Sequence, residues 1–406
     1  MKRQALSLAV FALVMACALP ALAQQIHVVD DDGAECPGAL TTIQGAVARA
    51  AAGDTILVCP GTYSGGVEVK GAGKNGLRII ANGRQGKVAL VGDHTQWRDG
   101  FLLEDVSRVL LRGFTLKDFG VPRTPGQAGV GQSILLRRAH NNIIQYNVMT
   151  SSEMMGITMI DSANNLIEDN VVYSNDPMMN GCGVHIEGRE SMNNVVRHNY
   201  LYDNPLAGIM LNTAGPGNQI LENNCSGGRR FGITNINTNG TRIERNRANY
   251  NTGFDEMIDI LGARPRPGIG IDVRGSTGVT VIDNDAENNA ALDIRWDGTG
   301  ENTFTNNRGI VQVFRLTVSS GTVAPGGPIT VTWTASGRRP VTDWIGLYAL
   351  GAADIDTNLL GWLYTGGAAS GSLTFTAPRQ AGRYELRYFL EDGFTQVAWS
   401  PTVTVQ

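Results

Sequence analysis

The chain has 406 residues, of which 42% are hydrophobic and 17% are charged. This balance supplies enough apolar side chains for a large core and excludes an intrinsically disordered protein. The net charge of −4 gives no general attraction to nucleic acid or to an anionic membrane surface, although binding of an acidic glycan would need only a local basic patch.

Residues 1–23 have the pattern of a secretory signal peptide. Lys2 and Arg3 precede an apolar run over residues 5–16, and a small-residue cleavage site ends at Ala23. Removing this segment takes away two positive charges and changes the net charge from −4 to −6. Cleavage before Cys17, as in a lipoprotein, is an alternative, but Met15 is unusual in such a site. No later apolar run reaches the ~20 residues of a membrane-spanning helix, so we expect an exported protein, periplasmic or secreted.

The mature chain opens with a short amphipathic helix. Thr41 or Thr42 is a suitable N-cap, and Gly53 is a suitable stop. Residues 55–59 then read as a strand that begins the first coil of a repeat. The apolar face of the helix consists of Ile43, Ala46, Val47 and Ala50.

From residue 156 to residue 309 the sequence repeats itself. Short segments begin with a small residue, continue with alternating apolar residues, and are followed by a polar turn and a second short alternation. The first four segments start 27, 25 and 24 residues apart, and the fifth starts 38 residues later, as if one repeat carried an insertion. The residues that open the segments are Gly156, Gly183, Gly208, Gly232, Gly270 and Ala291.

An asparagine follows the second alternation of each repeat. A period of 20–30 residues made of short strands and turns is typical of a β-solenoid, whose coils stack to fill a common interior. Asparagine at one turn per coil suits left-handed backbone geometry and hydrogen bonding from coil to coil. These asparagines are Asn147, Asn170, Asn199, Asn223, Asn246, Asn284 and Asn306.

The alternation predicts which side chains fill the solenoid. A leucine-rich horseshoe is the competing repeat, but its Leu-x-x-Leu-x-Leu framework is absent from the sequence. We therefore predict an all-β fold, a right-handed single-stranded parallel β-helix over residues 24–313 whose N-terminal helical cap occupies about residues 25–60. The residues expected inside are Ile157, Val184, Ile186, Ile209, Leu211 and Ile271.

Over about residues 25–314 these repeats resemble the right-handed β-helix proteins, the superfamily of pectate lyases and mannuronan epimerases. The run from Gly53 to Tyr63, which contains Gly-Asp-Thr-Ile and Cys-Pro-Gly-Thr-Tyr, looks like the start of many secreted members. The resemblance implies a lateral groove that holds a polysaccharide, including a polyuronate. The epimerase run Asp-Pro-His-x-Arg, the polygalacturonase motifs and a convincing pectate lyase calcium set do not occur in the sequence, so the fold is implied more firmly than a reaction.

Four cysteines follow the signal peptide, and an even number permits two disulfides in an oxidising compartment. Cys36 and Cys59 flank the short helix, and we interpret them as a disulfide that staples the cap. Cys182 and Cys225 lie two coils apart, which is about 10 Å along the solenoid. That is too far for a bridge unless a loop bends, and their pairing stays open.

Near residue 314 the repeats end and strand-like runs separated by turns replace them. These runs predict an antiparallel β-sandwich over residues 314–406. Residues 343–348, 382–384 and 387–389 resemble immunoglobulin-like domains of the SKICH type, which some bacterial exported enzymes carry at the C terminus. Two interpretations, a sugar-binding platform or core and sheet-edge residues, stay open for Trp333, Trp344, Trp362 and Trp399.

Outward-facing residues of the coil-opening strands supply the candidate site. Residues 272 and 274 are expected to stack on residues 293 and 295 of the next coil, about 5 Å away. Insertions at residues 119–131, 175–180 and 251–268 all precede such a strand, on the face where repeat proteins commonly bind. The candidate catalytic residues are His185, Glu187, Asp272, Arg274, Asp293 and Arg295. Residues expected to bind substrate are Arg137, Arg189, Asn212, Arg264 and Arg266.

Two kinds of function fit these residues. A lyase or epimerase of an acidic polysaccharide needs Ca²⁺ or arginine to neutralise the uronate carboxylate and a base such as His185 to remove the α-proton. Hydrolysis would need two carboxylates about 5 to 9 Å apart, which Asp272 and Asp293 could supply. The alternative is a non-catalytic surface or matrix protein that binds a glycan or a partner, with the Asp/Arg group as a solvated salt-bridge array.

No cofactor is certain from the sequence, but Ca²⁺ has one further candidate site. The run Asp30-Asp31-Asp32 could hold this ion with oxygen ligands or form a solvated turn. We expect a monomer without nucleic-acid partners.

Overall fold

The computed structural model describes residues 24–96, 99–121, 131–175, 181–253, 258–259, 262–263, 268–352 and 354–406. The predicted signal peptide, Arg264 and Arg266 lie outside these residues. Most of the described chain winds into a parallel β-helix whose coils add strands to three parallel sheets. A second, antiparallel region follows it, so the predicted fold class is confirmed.

Sheet 1 contains the strands that open the coils, and most of them are six residues long. Neighbouring strands pair in parallel throughout the β-helix. The strands are Val67–Lys70, Phe101–Glu104, Gln132–Arg137, Met155–Ile160, Cys182–Glu187, Ala207–Asn212, Phe231–Ile236, Ile269–Arg274 and Leu292–Trp296.

Sheets 2 and 3 complete the coils with strands of three or four residues, also paired in parallel. Sheet 2 consists of Ile26–Val29, Thr55–Val58, Arg78–Ala81, Leu110–Arg112, Ile143–Gln145, Leu166–Glu168, Val195–Arg197, Gln219–Leu221, Arg242–Glu244, Thr280–Ile282 and Thr303–Thr305. Sheet 3 consists of Gly61–Ser64, Val88–Val91, Thr115–Lys117, Val148–Thr150, Val171–Tyr173 and Tyr200–Tyr202. A separate antiparallel pair joins Ile258–Asp259 to Gly262–Ala263.

Apolar side chains stack from coil to coil in the interior. Val184, for example, pairs in register with Ile157 of the preceding strand and Ile209 of the next. Each such side chain contributes about 1.5–3 kcal/mol by leaving water. The prediction is confirmed for all six residues expected inside, Ile157, Val184, Ile186, Ile209, Leu211 and Ile271, which are fully buried.

The glycines that open the strands of sheet 1 have a steric cause. A Cβ added to Gly183 would lie 2.7 Å from the carbonyl oxygen of Gly208, and one added to Gly208 would lie 2.8 Å from that of Gly232. Distances this short essentially never occur at real Cβ atoms. The coils can therefore stack closely at this point only because the side chain is absent.

A ladder of buried asparagines follows the turn between sheets 2 and 3. Asn199 Oδ1 accepts hydrogen bonds from the backbone N of Asn170 at 2.9 Å and from its Nδ2 at 3.0 Å. The predicted coil-to-coil bonding is confirmed, except that Asn307 replaces Asn306 as the last rung. The rungs are Asn147, Asn170, Asn199, Asn223, Asn246, Asn284 and Asn307.

The left-handed residue of this turn precedes the asparagine rung. The expectation of left-handed geometry is therefore wrong for six of the seven predicted asparagines and is confirmed for Asn306. The residue before each rung has a φ between 51° and 57°. This conformation bends the chain so that the next side chain points inwards, where its amide finds partners in the adjacent coils. The left-handed residues are Tyr146, Asp169, His198, Glu222, Arg245, Asp283 and Asn306.

A short capping helix, Ile43–Arg49, precedes the second coil. Thr42 Oγ1 accepts a hydrogen bond from Gly45 N at 3.1 Å, which satisfies one free amide of the first turn. The disulfide between Cys36 and Cys59 is present, as predicted.

The described residues also include short 3₁₀ turns at Ala72–Lys74 and Asp356–Asn358.

Neither Cys182 nor Cys225 forms a disulfide in the described part of the chain, and both are buried. Cys225 packs in the interior of the β-helix, whereas Cys182 belongs to an apolar cluster on the outer side of sheet 1. The open question of their pairing is therefore answered by their positions on different sides of the sheet.

The C-terminal region is a sandwich of mostly antiparallel strands that continues sheet 1. Its first strand, Val311–Val318, pairs in parallel with Leu292–Trp296 through its first residues and in antiparallel with Pro328–Ala335 from Phe314 onwards. The other strands are Thr322–Val323, Trp344–Ala349, Leu359–Tyr364, Ser370–Thr376, Gly382–Leu390, Thr395–Trp399 and Val403–Val405.

One apolar cluster spans the sandwich and the outer side of sheet 1. It joins Phe314, Trp333 and Tyr388 of the sandwich to a row that begins the strands of sheet 1. The row on sheet 1 consists of Met155, Cys182, Ala207, Phe231, Ile269 and Leu292.

Among the described residues, no helix has both the length and the apolar composition that a membrane span needs.

Candidate functional site

Two rows of outward side chains cross sheet 1 from coil to coil. Parallel register places one residue of each strand beside its counterpart in the next strand. The middle row is Leu135, Thr158, His185, Met210, Thr234, Asp272 and Arg295. The edge row is Arg137, Ile160, Glu187, Asn212, Ile236 and Arg274.

Asp272 is the centre of a buried ionic cluster in the middle row. Its Oδ1 lies 2.6 Å from Arg295 Nε, and its Oδ2 lies 2.7 Å from Arg274 Nε and accepts a hydrogen bond from Thr234 Oγ1 at 2.9 Å. Burial acts to raise the pKa of Asp272, but the charges of Arg274 and Arg295 outweigh it and hold the pKa at about 2. The aspartate is therefore an ionised, fully paired group at neutral pH.

The sandwich covers this cluster. Arg295 Nη1 donates a hydrogen bond to the carbonyl oxygen of Gln396 at 3.0 Å. The guanidinium carbon of Arg274 lies 5.5 Å from the ring centroid of Trp399, on the same sandwich strand. Asp272 and Arg295 are 0% and 2% exposed, so these two groups face a junction between the two parts of the protein and not an open groove.

Asp293 does not stack on Asp272, and our prediction of that pair was wrong. Ile294 pairs with Ile271 and Arg295 with Asp272, so Asp293 occupies the position of Gly270. The predicted register of the sixth segment is two residues out, because Ala291 resembles the small residues that open the other segments. Asp293 Oδ2 instead accepts a hydrogen bond from Ile310 N at 3.1 Å.

His185 lies apart from this cluster, between Thr158 and Met210. It is 8% exposed, and neither its Nε2 nor the Oγ1 of Thr158 has a hydrogen-bond partner in the described part of the chain. Burial lowers the pKa of His185, and the charge of Glu187 offsets this only in part. The lowered pKa favours the neutral imidazole at pH 7, and its Nε2 is shielded from water without a hydrogen-bond partner among the described residues.

The residues predicted to bind substrate are dispersed around His185. Glu187, two positions along the same strand, and Arg189 are exposed, whereas Asn212 is half-buried and accepts a hydrogen bond from Thr213 Oγ1 at 3.2 Å. Arg137, two coils away from Glu187, has its Nη1 3.4 Å from Glu104 Oε1. From Arg137 to Asn212 this strip runs about 14 Å along the helix axis.

A cleft of about 1000 Å³ opens between the capping helix and the first strands of sheet 1. Arg137 lines one side of it, and the polar residues Gln44, Gln96 and Asp99 line others. Sequence patterns did not reveal this cleft, because its lining combines the capping helix, turns and strands of several coils that meet only in the folded chain. It is large enough for several sugar rings, since typical ligand pockets have volumes of about 300–1,000 Å³.

Comparison with solved structures finds several proteins of low sequence identity. The A-module of a mannuronan C-5 epimerase from Azotobacter vinelandii is 14% identical, with a TM-score of 0.33 over 64% of this chain and 88% of that chain. A protein of Geobacillus virus E2, ORF18, is 10% identical, with a TM-score of 0.45 over 84% and 75% of the two chains. The enzymatically active domain of tailspike protein 2 of bacteriophage CBA120 is 9% identical, with a TM-score of 0.41 over 90% and 74%.

No curated protein sequence matches the chain significantly. The model of the family described as "right handed beta helix region" matches residues 65–225 and 179–309, which together cover most of sheets 1, 2 and 3. The matched range contains the glycine-opened strands and the asparagine ladder, so the chain belongs to the right-handed β-helix family.

Proposed function

We propose that the protein is exported and acts on an acidic polysaccharide, as a lyase or epimerase that removes the proton α to a uronate carboxylate. The observation that carries this proposal is the imidazole of His185, which belongs to the outward middle row of sheet 1. Its lowered pKa favours the neutral form, and its Nε2 has no hydrogen-bond partner among the described residues. A base for this chemistry has to be uncharged at the working pH and free to accept a proton.

The surroundings of His185 supply the other requirements of the reaction. Arg189 on the surface nearby, or Arg137 two coils away, would neutralise the carboxylate of the substrate and so stabilise the carbanion formed when the proton leaves. Thr158 offers a hydroxyl on the adjacent strand. Elimination then follows if the bond to the leaving oxygen breaks, and epimerisation follows if a proton returns from the opposite face.

Hydrolysis by a carboxylate pair receives no support. The two carboxylates considered for hydrolysis, Asp272 and Asp293, do not lie side by side. Asp272 pairs in register with Arg295 beneath the sandwich, whereas Asp293 lies opposite Gly270 near the start of its strand. Inverting and retaining glycosidases both need two carboxyl groups on opposite sides of one open site.

A second candidate function is non-catalytic binding of a glycan along the same strip and the adjoining cleft. The burial of His185 favours this function. A side chain that is only 8% exposed can act as a base only if the substrate reaches past the neighbouring side chains of the edge row, whereas surface binding of a glycan does not require this. We further propose that the C-terminal sandwich, whose sequence resembles the SKICH type, serves mainly to cover the end of the β-helix groove.

Turnover on defined polymers distinguishes these functions. The full-length secreted protein is mixed with alginate, pectate and glycosaminoglycans, with calcium or chelator, and unsaturated-uronate absorbance, new reducing ends and the epimer ratio by NMR are followed. An eliminative or epimerising activity that falls about 10²–10⁴-fold in His185→Asn supports the proposal. His198→Asn is the matched control. His198 is exposed in the turn between sheets 2 and 3, away from sheet 1, and pairs with Glu222.

Retention of a polysaccharide without any product in the folded wild-type protein would establish the binding function instead. An activity that is equal in His185→Asn and the wild type would remove His185 from the mechanism.

A further inference from the structure

Three consecutive aspartates form a compact oxygen cluster beside the N-terminal cap. One carboxylate oxygen from each of Asp30, Asp31 and Asp32 lies within 4.8 Å of those of the other two. The cluster follows the first strand of sheet 2 and is far from His185 and from the ionic cluster at the sandwich.

Backbone amides fix the orientation of all three side chains. Asp30 Oδ2 accepts from Cys36 N at 2.6 Å, Asp31 Oδ2 from Thr62 N at 2.9 Å, and Asp32 Oδ1 from Ala34 N at 2.8 Å. Each carboxylate is thus held by one of its oxygens and keeps a second oxygen for another partner. The Cys36–Cys59 disulfide adds a covalent restraint to the same turn.

Asp30 provides a separate observation that points to a ligand. This residue is 1% exposed, and its Oδ1 is shielded from water without a hydrogen-bond partner in the described ranges. A buried carboxylate oxygen left in this state is costly unless a cation or donor meets it. Asp54, the other buried aspartate of the cap, shows the usual solution, because His27 Nε2 and two backbone amides engage its carboxylate.

The three neighbouring carboxylates concentrate negative charge at one place on the cap. The Tyr63 hydroxyl donates to the carbonyl oxygen of Cys59 at 2.8 Å and so gives no proton to these carboxylates. A cation is the partner that this arrangement lacks.

We propose that Asp30, Asp31 and Asp32 bind a hard divalent cation, with Ca²⁺ the best fit. All three ligand atoms would be carboxylate oxygens, which calcium prefers. Two oxygens that each bind the same ion at about 2.4 Å can be up to about 4.8 Å apart. Asp31 and Asp32 reach the surface, where water completes the coordination shell, and Asp31 lines the cleft through which the ion enters. The bound ion joins the first strand of sheet 2 to the Gly61–Ser64 strand of sheet 3 and so stabilises the cap.

Terbium luminescence tests the site on the full-length protein with its disulfide intact. After treatment with chelator, Tb³⁺ is added and excited through the aromatic side chains, of which Tyr63 is adjacent to the site, and Ca²⁺ is then titrated to displace it. We expect saturable luminescence and a Ca²⁺ dissociation constant of about 10⁻⁴–10⁻³ M, as in extracellular modules. Millimolar Ca²⁺ should also raise the melting temperature, because it binds only the folded cap.

Variants assign the binding to these side chains. Asp30→Asn and Asp32→Asn should each weaken Ca²⁺ binding at least about tenfold. Glu35→Gln is the matched control, because it removes the same charge from the same turn but from a residue outside the oxygen cluster, and it should leave the affinity unchanged. Asp32→Asn alters an exposed side chain, so it remains informative if Asp30→Asn fails to fold. Binding that is absent in the wild type, or equally weakened in Glu35→Gln, would overturn the proposal.

Discussion

Arg295 of the β-helix donates a hydrogen bond from Nη1 to the backbone carbonyl oxygen of Gln396 in the sandwich, across 101 residues of sequence, at a distance of 3.0 Å. The Nε of the same guanidinium contacts Asp272 Oδ1 at 2.6 Å. One side chain therefore links the ionic cluster of the β-helix to the strand that covers it. The contact between the two parts of the protein therefore includes, beside its apolar cluster, a charged group that has almost no contact with water.

Asp272→Asn is the most direct test of this junction. The change leaves Arg274 and Arg295 buried without their common counter-ion, and breaking a buried ion pair in this way costs about 3–5 kcal/mol. We expect the free energy of unfolding in urea to fall by that amount. Glu222→Gln, which breaks the exposed pair with Arg245, should change it little, because solvent screens that pair. Equal effects of the two substitutions would contradict the structural role of Asp272.

The same cluster should make stability depend on pH in a defined window. Asp272 has a pKa of about 2 in the folded protein against an ordinary value of 3.8. Since the folded state holds the charged form more strongly, its contribution is complete above about pH 4 and is lost as the pH falls towards 2. The difference in unfolding free energy between wild type and Asp272→Asn should therefore stay constant from pH 7 to 4 and shrink below it. A constant difference down to pH 2 would show that the carboxylate is not stabilised in this way.

His185 should titrate below its ordinary pKa of 6.5, because burial disfavours the imidazolium. The folded state then binds fewer protons than the unfolded state below pH 6.5, so part of the stability present above that pH is lost as the pH falls. Ring resonances of His185 followed by NMR should give the lowered pKa directly. His185→Asn should lose less stability than the wild type between pH 7 and 5, and a His185 pKa at or above 6.5 would remove the basis for its role as a base.

The repeats allowed the β-helix to be predicted because its signals are local. The period-2 alternation places Val184 and Ile186 inside, and several consecutive coils have a glycine where the next coil packs closely against them. The strand register at the end of the β-helix was not predicted correctly. Ala291 resembles the small residues that open the other coils, and this resemblance places Asp293 in the wrong row. The covering of Asp272 by Gln396 and Trp399 had no signal in the sequence, since it arises from contacts between segments more than one hundred residues apart.

The site itself was predicted only in part. His185 and Glu187 were expected to face outwards, and their register in sheet 1 agrees with that expectation. Their environment was not predictable, because burial depends on neighbours from several coils. The cleft beside Arg137 likewise depends on how the capping helix meets the first coils. The same holds for Asp30 Oδ1, which has no hydrogen-bond partner among the described residues.

The asparagine ladder makes a strong prediction for a residue far from any proposed site. Asn199 Oδ1 accepts two hydrogen bonds from Asn170, and its Nδ2 donates to the carbonyl oxygen of Ile167 and to Asn223 Oδ1. Asn199→Ala leaves several of these buried groups without partners, each at a cost of about 1–3 kcal/mol. We expect the free energy of unfolding to fall by at least about 3 kcal/mol.

Asn212→Ala is the control for the ladder, because Asn212 is half-buried on the outer face of sheet 1 and bonds only to the neighbouring Thr213 side chain in the described structure. Its removal should lower stability far less than Asn199→Ala in the same urea titration. Comparable losses would mean that the buried amides contribute no more than surface ones, and the coils would then be held together by apolar stacking alone.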